Sequence, residues 1–121
     1  MFVRRFDDCQ EFMAGDDSVL REFLHPKKAN LRIHYSLALA RVLPRKKTKL
    51  HKLKTSEVYY IVEGRGLMHI NGESCEVGPQ CVIYIPPDSK QYLENTGDCD
   101  LLFLCIVDPA WCRQDEEILE D

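Results

Sequence analysis

The 121-residue sequence predicts an all-β protein, an antiparallel barrel or sandwich. Three observations predict it. β-rich segments recur at intervals of about ten residues, the spacing of sandwiches and barrels. Turn residues separate them: Pro44, Gly64-Arg65-Gly66, Gly78-Pro79, Pro86-Pro87 and Gly97-Asp98. Asn71-Gly72 stands between Leu67-Met68-His69-Ile70 and Glu73-Ser74-Cys75-Glu76-Val77. A type I′ hairpin turn needs positive φ at both central residues, which Asn and Gly accept.

In chain order, the candidate strands begin with 2–6 and 18–24. Asp16-Asp17 could cap a short helix over the second of these, but Pro26 closes it after about one turn, so a strand is preferred. The run 33–43 ends at Pro44, and 49–53 follows a basic loop. Segment 57–63 is apolar on both faces, whereas a strand with one wet face alternates. Its outer face is therefore expected to be covered by the N-terminal segment or by a second subunit. Segments 66–71 and 73–77 flank the hairpin, 82–86 lies between two proline turns, and 90–95 and 101–107 flank Gly97-Asp98. Residues 112–119 are expected to form a helical turn.

Composition narrows the function. Apolar content of 45% and charged content of 30% suit one globular domain. No apolar run approaches the roughly 18–20 residues that cross a bilayer, and the first residues lack the apolar core of a signal peptide. A cytoplasmic location with no membrane contact is expected. The net charge of −4 argues against nucleic-acid binding. Arg45, Lys46, Lys47, Lys49, Lys52 and Lys54 form a basic cluster that reads as a solvated loop or as a rim attracting an anionic small molecule. The acidic end, Asp115 to Asp121, reads as a solvated tail. The six cysteines include no C-x-x-C pair and read as reduced, mostly buried small hydrophobes.

Two segments carry the chemistry. The first contains His51, Glu57 and Gly64; the second contains Gly78, Pro86 and Asn95. Together they resemble the two signature motifs of the cupin superfamily, over about residues 33–107. In that pattern Arg45 stands at a glycine, Leu53 at the second histidine, Asp88 at a glycine and Gln91 at a third histidine. The resemblance implies a jelly-roll barrel, the double-stranded β-helix, over 33–108. It also implies N-terminal strands 1–32 making a homodimer contact and a tail over 109–121. Arg45 in place of glycine suggests a loop of changed shape.

Residues two apart on a strand share a face. His51 and Leu53 therefore point inward together, Glu57 joins them from the next strand, and Gln91 approaches from far along the chain. By resemblance, His51, Glu57 and Gln91 are the candidate ligands of a divalent metal, Mn, Fe, Ni or Zn. Should a fourth ligand exist, His34 or His69 is the candidate; His25 reads as a packing residue. Without a metal, His51 and Glu57 form an acid–base pair, because neighbouring carboxylate and imidazole shift each other's pKa. Leu53, Tyr59 and Arg41 are the expected substrate-pocket residues, Arg41 if it points into the barrel. Two functions follow. One is a metal-dependent small-molecule cupin similar to phosphomannose isomerase, acting on a sugar phosphate. The other is a metal-free, non-catalytic ligand-binding barrel.

Overall fold

Turn chemistry divides the chain into eleven strands, and the computed structural model, which describes residues 1–121, folds them into two facing antiparallel sheets. The strands are β1 (Phe12–Met13), β2 (Val19–Leu24), β3 (Ser36–Val42), β4 (His51–Leu53), β5 (Ser56–Glu63) and β6 (Gly66–Ile70). After them come β7 (Glu73–Val77), β8 (Val82–Ile85), β9 (Gln91–Asn95), β10 (Leu101–Asp108) and β11 (Glu116–Ile118). One sheet runs β1-β2-β3-β10-β5-β8 and the other β11-β4-β9-β6-β7. This is a jelly-roll barrel. Between the sheets lies one apolar core, built on Ala40, Val42, Tyr59, Ile61, Met68, Val77, Ile83, Ile85, Leu93, Leu101 and Phe103. Alternation places these residues inward, as the period of a strand requires.

The hairpin forms as predicted: Asn71 has φ 49° and Gly72 φ 86°, and Ile70 pairs with Glu73. Gly64 is required for a different reason, since a Cβ there would lie 2.6 Å from the Asp100 carbonyl oxygen. Segment 18–24 is a strand, as preferred over a helix.

Three expectations are corrected. Residues 2–6 are not a strand. Asp8 instead accepts the Arg5 amide at 2.8 Å and the Cys9 amide bonds the Phe6 carbonyl at 3.2 Å, so local bonds close a 3₁₀ turn over Phe6–Asp8. The acidic end is not a free tail. A 3₁₀ turn over Arg113–Asp115 leads into β11, which pairs with β4, Glu116 opposite Leu53 and Ile118 opposite His51. The cysteines are all free, but only Cys9 is buried, while Cys75 and Cys99 are exposed.

The outer face of the six-stranded sheet exposes Tyr60, Val62, Val82, Tyr84 and Ile106. The N-terminal strands join the opposite edge of that sheet and do not cover these residues.

Arg45 holds φ 63°, the backbone conformation glycine favours, so the substitution has not relaxed the loop. A left-handed conformation costs a non-glycine residue roughly 1–2 kcal/mol, partly offset by glycine's greater freedom in the unfolded chain. The Arg45–Asp98 contact of 2.8 Å joins largely exposed groups and adds little. Arg45→Gly is therefore expected to raise stability by about 0.5–1 kcal/mol. Denaturant unfolding checks this, and a loss of stability would contradict it.

Candidate functional site

β3 faces the barrel interior with Ser36, Ala38 and Ala40, and its larger Leu37 and Leu39 sit on the other face. These short side chains leave room for a cavity of about 320 Å³. That is within the usual range for small-molecule sites, about 300–1,000 Å³. Leu20, Phe103 and Val107 supply further apolar wall. Phe12 and Met13 from the N-terminal arm and Trp111 from the C-terminal segment complete it.

The polar groups of the cavity come from several elements, Ser18, Glu22, Lys28 and Ser36 among them. β4 supplies His51, β5 supplies Glu57 and Tyr59, the loop after β1 supplies Asp16, and β11 supplies Glu116. His51 is 2% exposed, and its Nδ1 lies 2.6 Å from the Lys49 carbonyl oxygen. A carbonyl only accepts, so Nδ1 carries the hydrogen and Nε2 of the neutral ring keeps its lone pair. The nearest acidic oxygen to Nε2 is Asp16 Oδ2 at 3.6 Å. Asp16 is itself fixed, since its Oδ1 accepts the Ser18 amide at 3.0 Å and the Ser18 hydroxyl at 2.6 Å.

Glu57 is buried and tied at both oxygens. Gln91 Nε2 donates to Oε1 at 2.9 Å, and the Cys105 thiol donates to Oε2 at 2.9 Å. The Tyr59 hydroxyl donates to Gln91 Oε1 at 3.2 Å. Burial pushes the Glu57 carboxyl above the ordinary glutamate range; the Cys105 and Gln91 bonds and nearby His51 oppose this, and Asp16 reinforces it. Glu116 is raised too, first by burial and then by Asp16. Burial, followed by the charge of Glu57, holds the Tyr59 hydroxyl and the Cys105 thiol well above their usual values, so both remain protonated donors.

The fold thus brings together His51, Glu57 and Tyr59, three of the residues expected from sequence. Gln91 sits across from His51 in the β4–β9 pairing, but behind Glu57 and Tyr59 rather than on the cavity wall. Leu53 is buried facing inward, yet lies outside the cavity lining. Arg41 does not point into the barrel. Strand parity turns it outward, where it pairs with Glu11 at 2.6 Å and Asp100 at 3.0 Å. The basic cluster is also away from the cavity: Arg45 pairs with Asp98, Lys47 with Glu120 and Lys52 with Glu117. His69 faces outward between Glu94 and Ser74, and His25 bonds the Trp111 carbonyl.

Sequence reasoning missed Asp16, Cys105, Trp111 and Glu116. In the sequence Asp16 stands out only as a possible cap of a helix that Pro26 disfavours, and Glu116 only as part of an acidic run. Glu116 and Ile118 share one face of β11, with Glu117 exposed between them.

The donor set does not fit the divalent metal that the motifs imply. Both Glu57 oxygens and both ends of the Gln91 amide are engaged by one another, Tyr59 and Cys105. Leu53 offers no donor, and no three histidine, cysteine or acidic side chains converge closely enough to hold an ion. The arrangement suits proton transfer instead: an imidazole with a free lone pair, a carboxylate beside it, and a carboxyl whose burial favours the protonated form.

Comparison with known proteins places this geometry in a family. A Cupin domain match covers residues 38–107. An uncharacterized protein of Methanocaldococcus jannaschii is 43% identical over 116 residues, 95% of this chain and 92% of that protein. An oxalate-binding protein of Thermotoga maritima is 36% identical over 59 residues, 48% of this chain and 49% of its own length. Among solved structures, a Streptomyces nucleoside dehydratase with uridine is similar at TM-score 0.79 and 17% identity, over 99% of this chain and 92% of that one. A predicted oxalate decarboxylase from Thermotoga maritima is similar at TM-score 0.78 and 22% identity, over 89% of this chain and 99% of that one. The chain belongs to the cupin domain family.

Proposed function

We propose that this cupin binds a small molecule in the barrel cavity and catalyses a metal-independent proton transfer on it, with His51 as base and Glu57 as acid. The observation that carries this is the state of His51: buried, with Nδ1 committed to the Lys49 carbonyl and Nε2 free at the cavity. Asp16 stabilises the imidazolium that forms when Nε2 takes a proton. Glu57, its carboxyl favoured in the protonated form by burial, returns a proton to the opposite part of the ligand. Gln91, outside the cavity lining, and Cys105, on the cavity wall, position Glu57 through their hydrogen bonds to it.

The sugar-phosphate isomerase reading has less support. It needs a Lewis acid on two oxygens and a cationic site for the phosphate. The cavity carries Asp16, Glu22, Glu57 and Glu116, and its lysine, Lys28, is already paired with Glu22 at 2.5 Å. The same charges disfavour oxalate, the ligand named for one relative.

The test uses the protein's single tryptophan, Trp111, which lines the cavity, to find binders by fluorescence. Binders are then incubated in D₂O and followed by NMR. Exchange or conversion of a carbon-bound proton is expected in the native protein and about 100-fold slower in His51→Gln. Binders that stay unchanged through long incubation would instead make this a non-catalytic binding barrel.

A further inference from the structure

The cavity interior is rich in hydrogen-bond acceptors and poor in donors. His51 Nε2 makes no hydrogen bond, although the residue is 2% exposed. Asp16 spends Oδ1 on Ser18 and leaves Oδ2 toward His51. Glu116 engages Oε2 with the Trp111 indole N–H at 3.5 Å, and its Oε1 has no hydrogen-bond partner. Gly15 lies beside that oxygen and leaves the space open; a Cβ there would come within 3.2 Å of it. Three acceptors from three separate elements therefore face one cavity, whose lysine, Lys28, is already paired with Glu22.

The walls add a second constraint. Phe12, Trp111, Tyr59 and Phe103 line the same space, so the ligand has an apolar or aromatic body. Aromatic faces also attract a cation lying over them. A bare metal ion is the poorer match, because the acceptors do not converge as a coordination set. A carboxylate or phosphate ligand would meet Asp16, Glu57 and Glu116 with no free positive partner.

We infer that the ligand is a primary amine with an apolar body, its ammonium donating to the carboxylates of Asp16 and Glu116 and leaving His51 Nε2 free for the proton transfer proposed above. An ammonium carries donors and no acceptor, which suits two carboxylate oxygens, Asp16 Oδ2 and Glu116 Oε1, that lack a donor. The inference names the ligand class of the cavity described above and rests on that cavity being the ligand site. Amine recognition by Asp16 and Glu116 also gives a role to the two segments, one N-terminal and one C-terminal, that close over the barrel.

Three probes of nearly equal shape test it: benzylamine, benzyl alcohol and benzoate, titrated near neutral pH with Trp111 fluorescence and calorimetry as readouts. Benzylamine is expected to bind at least about tenfold more tightly than benzyl alcohol, with benzoate weakest. That preference is expected to fall about tenfold in Asp16→Asn and in Glu116→Gln. Glu116 lies on a three-residue edge strand, so its variant keeps the barrel even if the Asp16 variant is less stable. Benzyl alcohol or benzoate binding as well as the amine would overturn the amine inference while leaving the cavity a ligand site. Amine affinity unchanged in both variants would do the same. No response to any of the three probes would overturn both readings.

Discussion

Replacing Leu53 and Gln91 together by histidine is expected to raise affinity for Ni²⁺ or Zn²⁺ by more than about 100-fold. Loss of even one supporting partner around a metal costs about 10–100-fold, and this change adds two direct imidazole donors. Leu53 shares the inward face of β4 with His51, and Gln91 pairs across from His51 on β9. Histidines there would stand beside His51 and Glu57. The change also frees Glu57 Oε1 from the Gln91 amide. Calorimetric titration of the double variant checks this. Affinity equal to that of the native protein would mean that the two substitutions are not what sets metal binding in this barrel.

Glu57→Gln is expected to stabilise the protein at neutral and alkaline pH and to leave it unchanged in acid. The Glu57 pKa is raised on folding, chiefly by burial. The folded state therefore holds this proton more readily than the unfolded state. Its stabilising effect is fully present below the ordinary glutamate pKa and is lost as pH rises through the raised value. Glutamine mimics the protonated acid at every pH and keeps an oxygen for Gln91 or Cys105. A gain of about 1 kcal/mol, or roughly 3–5 °C in Tm, is expected at pH 8. No difference is expected at pH values well below the ordinary glutamate range. A variant less stable than the native protein at pH 8 would show that Glu57 is held ionised by its hydrogen bonds and His51. The same variant should lose the proton-transfer activity proposed above.

Much of the barrel was legible because its signals are local. Asn71-Gly72 demands a tight hairpin, and strand parity carried His51, Leu53, Glu57 and Tyr59 inward. The motif positions also located Gln91 beside His51, where its amide donates to Glu57. The illegible parts depend on contacts distant in sequence. Glu116 enters the cavity because β4 is a short strand whose free edge accepts β11, and nothing within Asp115 to Asp121 announces that edge. Asp16 faces His51 because the Lys49 amide donates to the Asp16 carbonyl at 2.7 Å, tying the N-terminal loop to β4. Arg41 misled for a physical reason. β3 turns its small residues to the cavity and its larger ones outward, the reverse of the usual expectation that bulk goes inside.

The central claim is that His51, Glu57 and Gln91 form a proton-transfer and positioning network rather than a metal centre. It is tested most directly by titrating untagged native protein with Mn²⁺, Ni²⁺ and Zn²⁺ in a calorimeter, beside Glu57→Ala and Gln91→Ala. The account predicts no stoichiometric binding that depends on Glu57 and Gln91. One equivalent of metal held by the native protein and lost in both variants would contradict it.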